Sequence, residues 1–116
     1  MSRHGILIPV DGPPRAIALP ETDELAFLQG IVGGYIEPVR LDARAVMFVD
    51  EEATLKKPAP RANLVASNLA NHHANVAGLI RGPAIIVGPE ADELSGTPAR
   101  EWWDLLGVPM PQEATP

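Results

Sequence analysis

The sequence predicts a single α+β domain built on a mixed or mostly antiparallel sheet of about five strands, in the order ββαββαβα, with the helices packed on one face. Short β-branched runs bounded by turn residues alternate with segments of helical period. A chain of 116 residues is long enough for one core and too short for two ordinary ones. Its 46% hydrophobic and 21% charged residues have the balance of a globular protein rather than of a disordered acidic tail.

The run Gly5 to Val10 is apolar and β-branched, and Asp11-Gly12 followed by Pro13-Pro14 is a turn signal before Arg15 to Leu19, so a β-hairpin is expected. Pro20 ends the second strand. Leu25, Leu28 and Val32, widened by Phe27 and Ile31, predict an amphipathic helix from about Thr22 to Val32, and Gly33-Gly34 closes it. Tyr35 to Leu41 fits the next strand, with Pro38 pointing to a sheet edge because proline cannot donate to a ladder. Ala45 to Val49 follows as a buried strand, and Asp50-Glu51-Glu52 turns the chain back to solvent.

Lys56-Lys57-Pro58-Ala59-Pro60 is a short, stiff connector into a second helix from Arg61 to about Ala77, stopped at Gly78. The helix shows two adjoining faces, one with Val65, Leu69, His72 and Val76, the other with Leu64, Asn68, Asn71 and Asn75. The apolar run Ala84 to Gly88 reads as a mid-sheet strand. Thr97 as N-cap, Pro98 as first residue and Gly107 past the last turn bracket a final helix with Trp102, Leu105 and Leu106 as apolar members. The domain is taken as residues 1–107, with 108–116 as a flexible tail.

With no cysteine, disulfides, thiolate metal sites and cysteine nucleophiles are excluded. No run approaches the roughly twenty apolar residues of a membrane span, and nothing near Met1 resembles a secretory signal, so a cytoplasmic protein without membrane partners is expected. A formal charge of −6 opposes the counterion-release term behind nucleic-acid affinity, so nucleic acid is not expected as a partner.

Several segments, taken in order, carry a family resemblance. Pro9-Val10-Asp11-Gly12 ends an apolar strand in a turn; Leu28 to Glu37 (LQGIVGGYIE) is a helix-end signature; Asp50-Glu51-Glu52 is an acidic hairpin turn; Pro60 and Asn63 open a helix; and Gly82 to Gly88 leads into a buried strand. This pattern, over roughly residues 5 to 88, resembles domain-of-unknown-function family 3846, carried largely by bacteriophages and other mobile elements. The chain departs from it at Ala53, where a turn glycine is expected, and in its alanine-rich second helix. The resemblance implies no catalytic residue.

His72-His73 invites a metal or proton-transfer role, but adjacent helical residues point about 100° apart and the i, i+4 histidine pair of zinc-binding helices is missing. His72, on the apolar stripe, is expected to be partly buried. Gly33-Gly34 lies at the carboxyl end of its helix, the opposite end from a phosphate-binding loop. Asp50, Glu51 and Glu52 are explained by a solvated turn, though Asp50 and Glu51 with His72 would suit a hydrolase. Lys56, Lys57 and Arg61 form the one basic cluster.

No catalytic, metal or cofactor site is therefore expected. Function is expected in a surface: a non-catalytic accessory protein binding a host protein or its own copies as an oligomer, with Trp103 as a partner-contacting aromatic. The alternative is a small polar, nucleotide-like ligand bound by Asn68, Asn71 and Asn75 with Arg61 and Arg81.

Overall fold

The computed structural model describes residues 3–90 and 93–111. Strands β1 (His4–Ile8) and β2 (Arg15–Ala18) form the expected hairpin, followed by α1 (Glu24–Val32), β3 (Ile36–Asp42) and β4 (Ala45–Asp50). A 3-10 turn at Ala53–Leu55 leads to α2 (Leu64–Ala74), β5 (Ala84–Glu90), β6 (Glu93–Gly96) and α3 (Arg100–Leu106). All pairings are antiparallel, in the order β2-β1-β5-β4-β3, with β6 paired to the far end of β5. The α+β class and five-strand path are those the sequence predicts. Strand β6 is an addition, bound where Gly88 lies opposite Gly96.

The helices occupy both faces of the sheet, which corrects the one-face arrangement. Along β4 and β5 the pairs alternate: Met47 opposite Ile86 faces one side, and Val46 opposite Val87 and Phe48 opposite Ile85 face the other. The first side packs with Ala66, Leu69 and Ala70 of α2 and Trp102 and Trp103 of α3; the second packs with Leu28 of α1. β4 and the core of β5 are therefore buried on both faces.

Edge strand β3 carries Pro38 as expected. The Glu51 N–H donates to the Tyr35 carbonyl at 2.8 Å, so alternate residues from Tyr35 turn their peptide groups to β4 while Ile36, Pro38 and Arg40 turn theirs outward. Pro38 thus removes a donor from the open edge and blunts it against strand addition.

Asn63 is the N-cap of α2 and ties that helix to the sheet. Its Oδ1 accepts from Ala66 N at 3.0 Å, and its Nδ2 donates to the carbonyls of Ile8 at 2.9 Å and Gly82 at 3.0 Å. Ser67, one turn later, donates to Asn63 O and accepts from Ile80 N. The face turned to the sheet is Ala66, Leu69 and Ala70 with the partly buried Ala74; of the expected stripe only Leu69 lies on it, and Val65, His72 and Val76 are exposed. Small side chains let α2 lie close on the sheet, which explains its alanine content.

The ends of the second and third helices also differ from expectation. α2 stops at Asn75, whose φ of 56° is left-handed, before Gly78 is reached. Ala99, not Thr97, is the N-cap of α3; the Thr97 hydroxyl instead accepts the His4 N–H at 3.1 Å. Val108 is buried and Met110 packs on the core, so the first part of the predicted tail belongs to the domain, while 112–116 lie outside the described residues.

Candidate functional site

The residues singled out in the sequence do not come together. Asn68, Asn71 and Asn75 are exposed, and Asn75 is the left-handed cap of α2 rather than a member of a helical row. Arg61, at the opposite end of α2, is exposed and paired with Asp11. Arg81 donates to the Pro60 carbonyl at 3.1 Å and lines a cleft of about 170 Å³ that holds none of the asparagines.

Trp103 cannot meet a partner. It is fully buried beneath α3, with Nε1 donating to the Pro98 carbonyl at 3.0 Å. Trp102, also buried, donates to Asp42 Oδ2 at 3.1 Å and packs edge-on against His73, with ring centroids 4.9 Å apart. Neighbouring tryptophans are both covered because Trp103 enters the core while His73 and the end of β3 shield Trp102 from the side.

The hydrolase grouping fails on distance. Asp50 pairs with Ile36 at the start of β3, whereas His73, next to His72, lines a cleft with Asp42 at its end. That places His72 roughly 20 Å from Asp50 at the rise of an antiparallel strand. Among the described residues, no three of His, Asp or Glu are grouped to hold a metal ion.

A different locus emerges around the 3-10 turn. The Asp50 side chain is 1% exposed, accepts the Glu52 N–H at 2.9 Å and is ion-paired with Lys56. The Lys56 ammonium also donates to the Gly33 carbonyl at 2.6 Å, supplying at the end of α1 the cation its last turn lacks. Gly34 passes so close that a Cβ there would lie 2.9 Å from Asp50 Oδ1. Ala53 opens the turn as a buried residue. Lys56 and Arg61 each have an acidic partner, so the apparent basic cluster is divided between two ion pairs.

This knot holds open a cleft of about 360 Å³ lined by Gln29, Gly34, Tyr35, Asp50, Glu52, Leu55 and Lys56. On the other side of the turn, the smaller cleft is lined by Glu37, Asp50, Glu51, Thr54, Leu79 and Arg81 among others. Around the two openings stand Tyr35, Leu55 and Leu79, which are 65%, 72% and 53% exposed. Residues of Leu28 to Glu37 and of Asp50 to Glu52, the signature and acidic turn of the family pattern, thus line two clefts that flank the same turn.

The family model for a domain of unknown function (DUF3846) matches residues 2–106. The chain belongs to this family. No curated protein and no solved structure was found to match it. In this DUF3846 chain, the signal for the site was the length of the signature past the helix stop: Gly33 suffices to end α1, whereas Gly34 and Tyr35 shape the cleft. Leu55, at the end of the 3-10 turn, and Leu79, in a loop, are isolated apolar residues that gave no periodic signal. No described helix is long and apolar enough to cross a membrane.

Proposed function

We propose that this DUF3846 protein is a non-catalytic accessory protein of phage or mobile-element type, acting in the host cytoplasm by binding a host protein or its own copies through the surface around the 3-10 turn. The supporting observation is the exposure of Tyr35, Leu55 and Leu79 around a turn whose backbone is tied down by Asp50 and Lys56. Exposed apolar side chains rimmed by polar groups on a rigid support are the usual composition of a protein-binding surface. A small polar ligand has less support, because Asn68 and Asn71 stand exposed on α2, Asn75 caps its far end, and Arg61 precedes its start and is paired with Asp11.

The test is affinity capture from host lysate with wild type and with the triple variant Tyr35→Ser, Leu55→Ser, Leu79→Ser, alongside sedimentation velocity. A partner, or self-association, present in the wild type and lost in a folded variant is expected. A monomeric wild type whose captured proteins are all retained by the variant would end the proposal.

A further inference from the structure

Resting on that surface as the binding site, we infer that its occupant is a basic, apolar-anchored polypeptide segment of a different protein, not a second copy of this chain. The two clefts carry four carboxylates, Glu37, Asp50, Glu51 and Glu52, against two cations, Lys56 and Arg81. Lys56 is neutralised by Asp50, whereas Arg81, whose Pro60 partner is an uncharged carbonyl, keeps its charge and offsets one of the three remaining glutamates. Glu37, Glu51 and Glu52 are all exposed, so the outward charge of the rim is negative, on a chain of formal charge −6.

A lysine- or arginine-bearing segment meets that rim with opposite charge and is steered to it at long range. A second copy placed face to face would bring the same three glutamates against themselves, and like charges across an interface oppose association. Strand addition at the neighbouring edge is blunted by Pro38. The segment is therefore held by side chains. An apolar residue seats between Tyr35 and Leu55 against the bare wall at Gly34, in a volume of about 360 Å³, near the lower end of ligand pockets. Its basic neighbours reach Glu51 and Glu52.

The probe is a random peptide library displayed against the immobilised full chain, followed by fluorescence anisotropy of the enriched sequences as synthetic peptides. Enrichment of sequences combining lysine or arginine with an apolar anchor is expected. Their affinity should fall about tenfold or more in the Tyr35→Ser, Leu55→Ser variant. It should fall several-fold in Glu51→Gln, Glu52→Gln and on raising salt. Acidic or uncharged winners, no enrichment, or binding indifferent to these variants would overturn the inference, as would a wild-type dimer abolished by Tyr35→Ser, Leu55→Ser. If lysate capture depends on the triple variant but the peptides are not basic, only this inference fails. If capture is independent of that surface, the proposed function fails with it.

Discussion

The buried carboxylate of Asp50 and the ammonium of Lys56 are paired across the 3-10 turn, and through Lys56 the pair reaches the Gly33 carbonyl at the end of α1. The end of α1 and the turn that follows β4 are thereby fixed around one cleft. Replacing Lys56 by Met leaves a buried carboxylate without its cation. Because the lysine side chain is 36% exposed, the loss is set below that of a fully buried pair, at about 1–3 kcal/mol. Urea denaturation of the single and double variants with Asp50→Asn checks it, and the double variant should lose less than the sum of the singles.

Two glycines of the signature should respond oppositely to alanine. Gly30 lies within α1 with nothing within 4 Å of an added Cβ, so Gly30→Ala should stabilise by about 0.5–1 kcal/mol. At Gly34 the added methyl would meet Asp50 Oδ1, which the Glu52 N–H and Lys56 hold in place. Gly34→Ala should destabilise by about 1–3 kcal/mol. Thermal denaturation of the pair measures both signs.

Asn63→Ala removes the α2 cap and strands the Ile8 and Gly82 carbonyls in the interior. A loss of about 2–4 kcal/mol is expected. Asn63→Asp keeps the cap but turns an acceptor toward both carbonyls, so it should not rescue stability. Equilibrium unfolding of the two variants distinguishes the cap from the carbonyl bonds.

Trp103→Ala should cost about 3–5 kcal/mol by opening the core. By contrast, the exposed Leu105 should tolerate serine within about 0.5 kcal/mol. Near-ultraviolet circular dichroism and unfolding midpoints check both, and loss of binding by Trp103→Ala would report lost structure.

The element order is legible in the sequence because turn residues punctuate it: Asp11-Gly12, Gly33-Gly34 and Gly107 fall where the chain reverses or a helix ends. The placement of helices on two faces is encoded in the continuous apolar runs Ala45 to Val49 and Ala84 to Val87, a pattern of strands covered on both sides. The α2 stripe misleads because large side chains suggest a core face, while apart from Leu69 the sheet selects the small ones, Ala66, Ala70 and Ala74. Thr97 has the chemistry of a cap but is engaged by His4, a partner 93 residues away that local pattern cannot supply. The cleft has the same origin: Asp50 and Glu52 look like a solvated turn until Lys56 and Gly34 are brought against Asp50.

The most direct test of the binding surface is amide chemical-shift mapping of the 15N-labelled protein during titration with an enriched basic peptide. Shifts concentrated at residues 33–37, 50–56 and 79–81, and absent from the triple variant, are expected. Shifts centred on Asn68, Asn71 and Asn75, or on the cleft of His73 and Trp102, would contradict the assignment of binding to the surface built on Asp50 and Lys56.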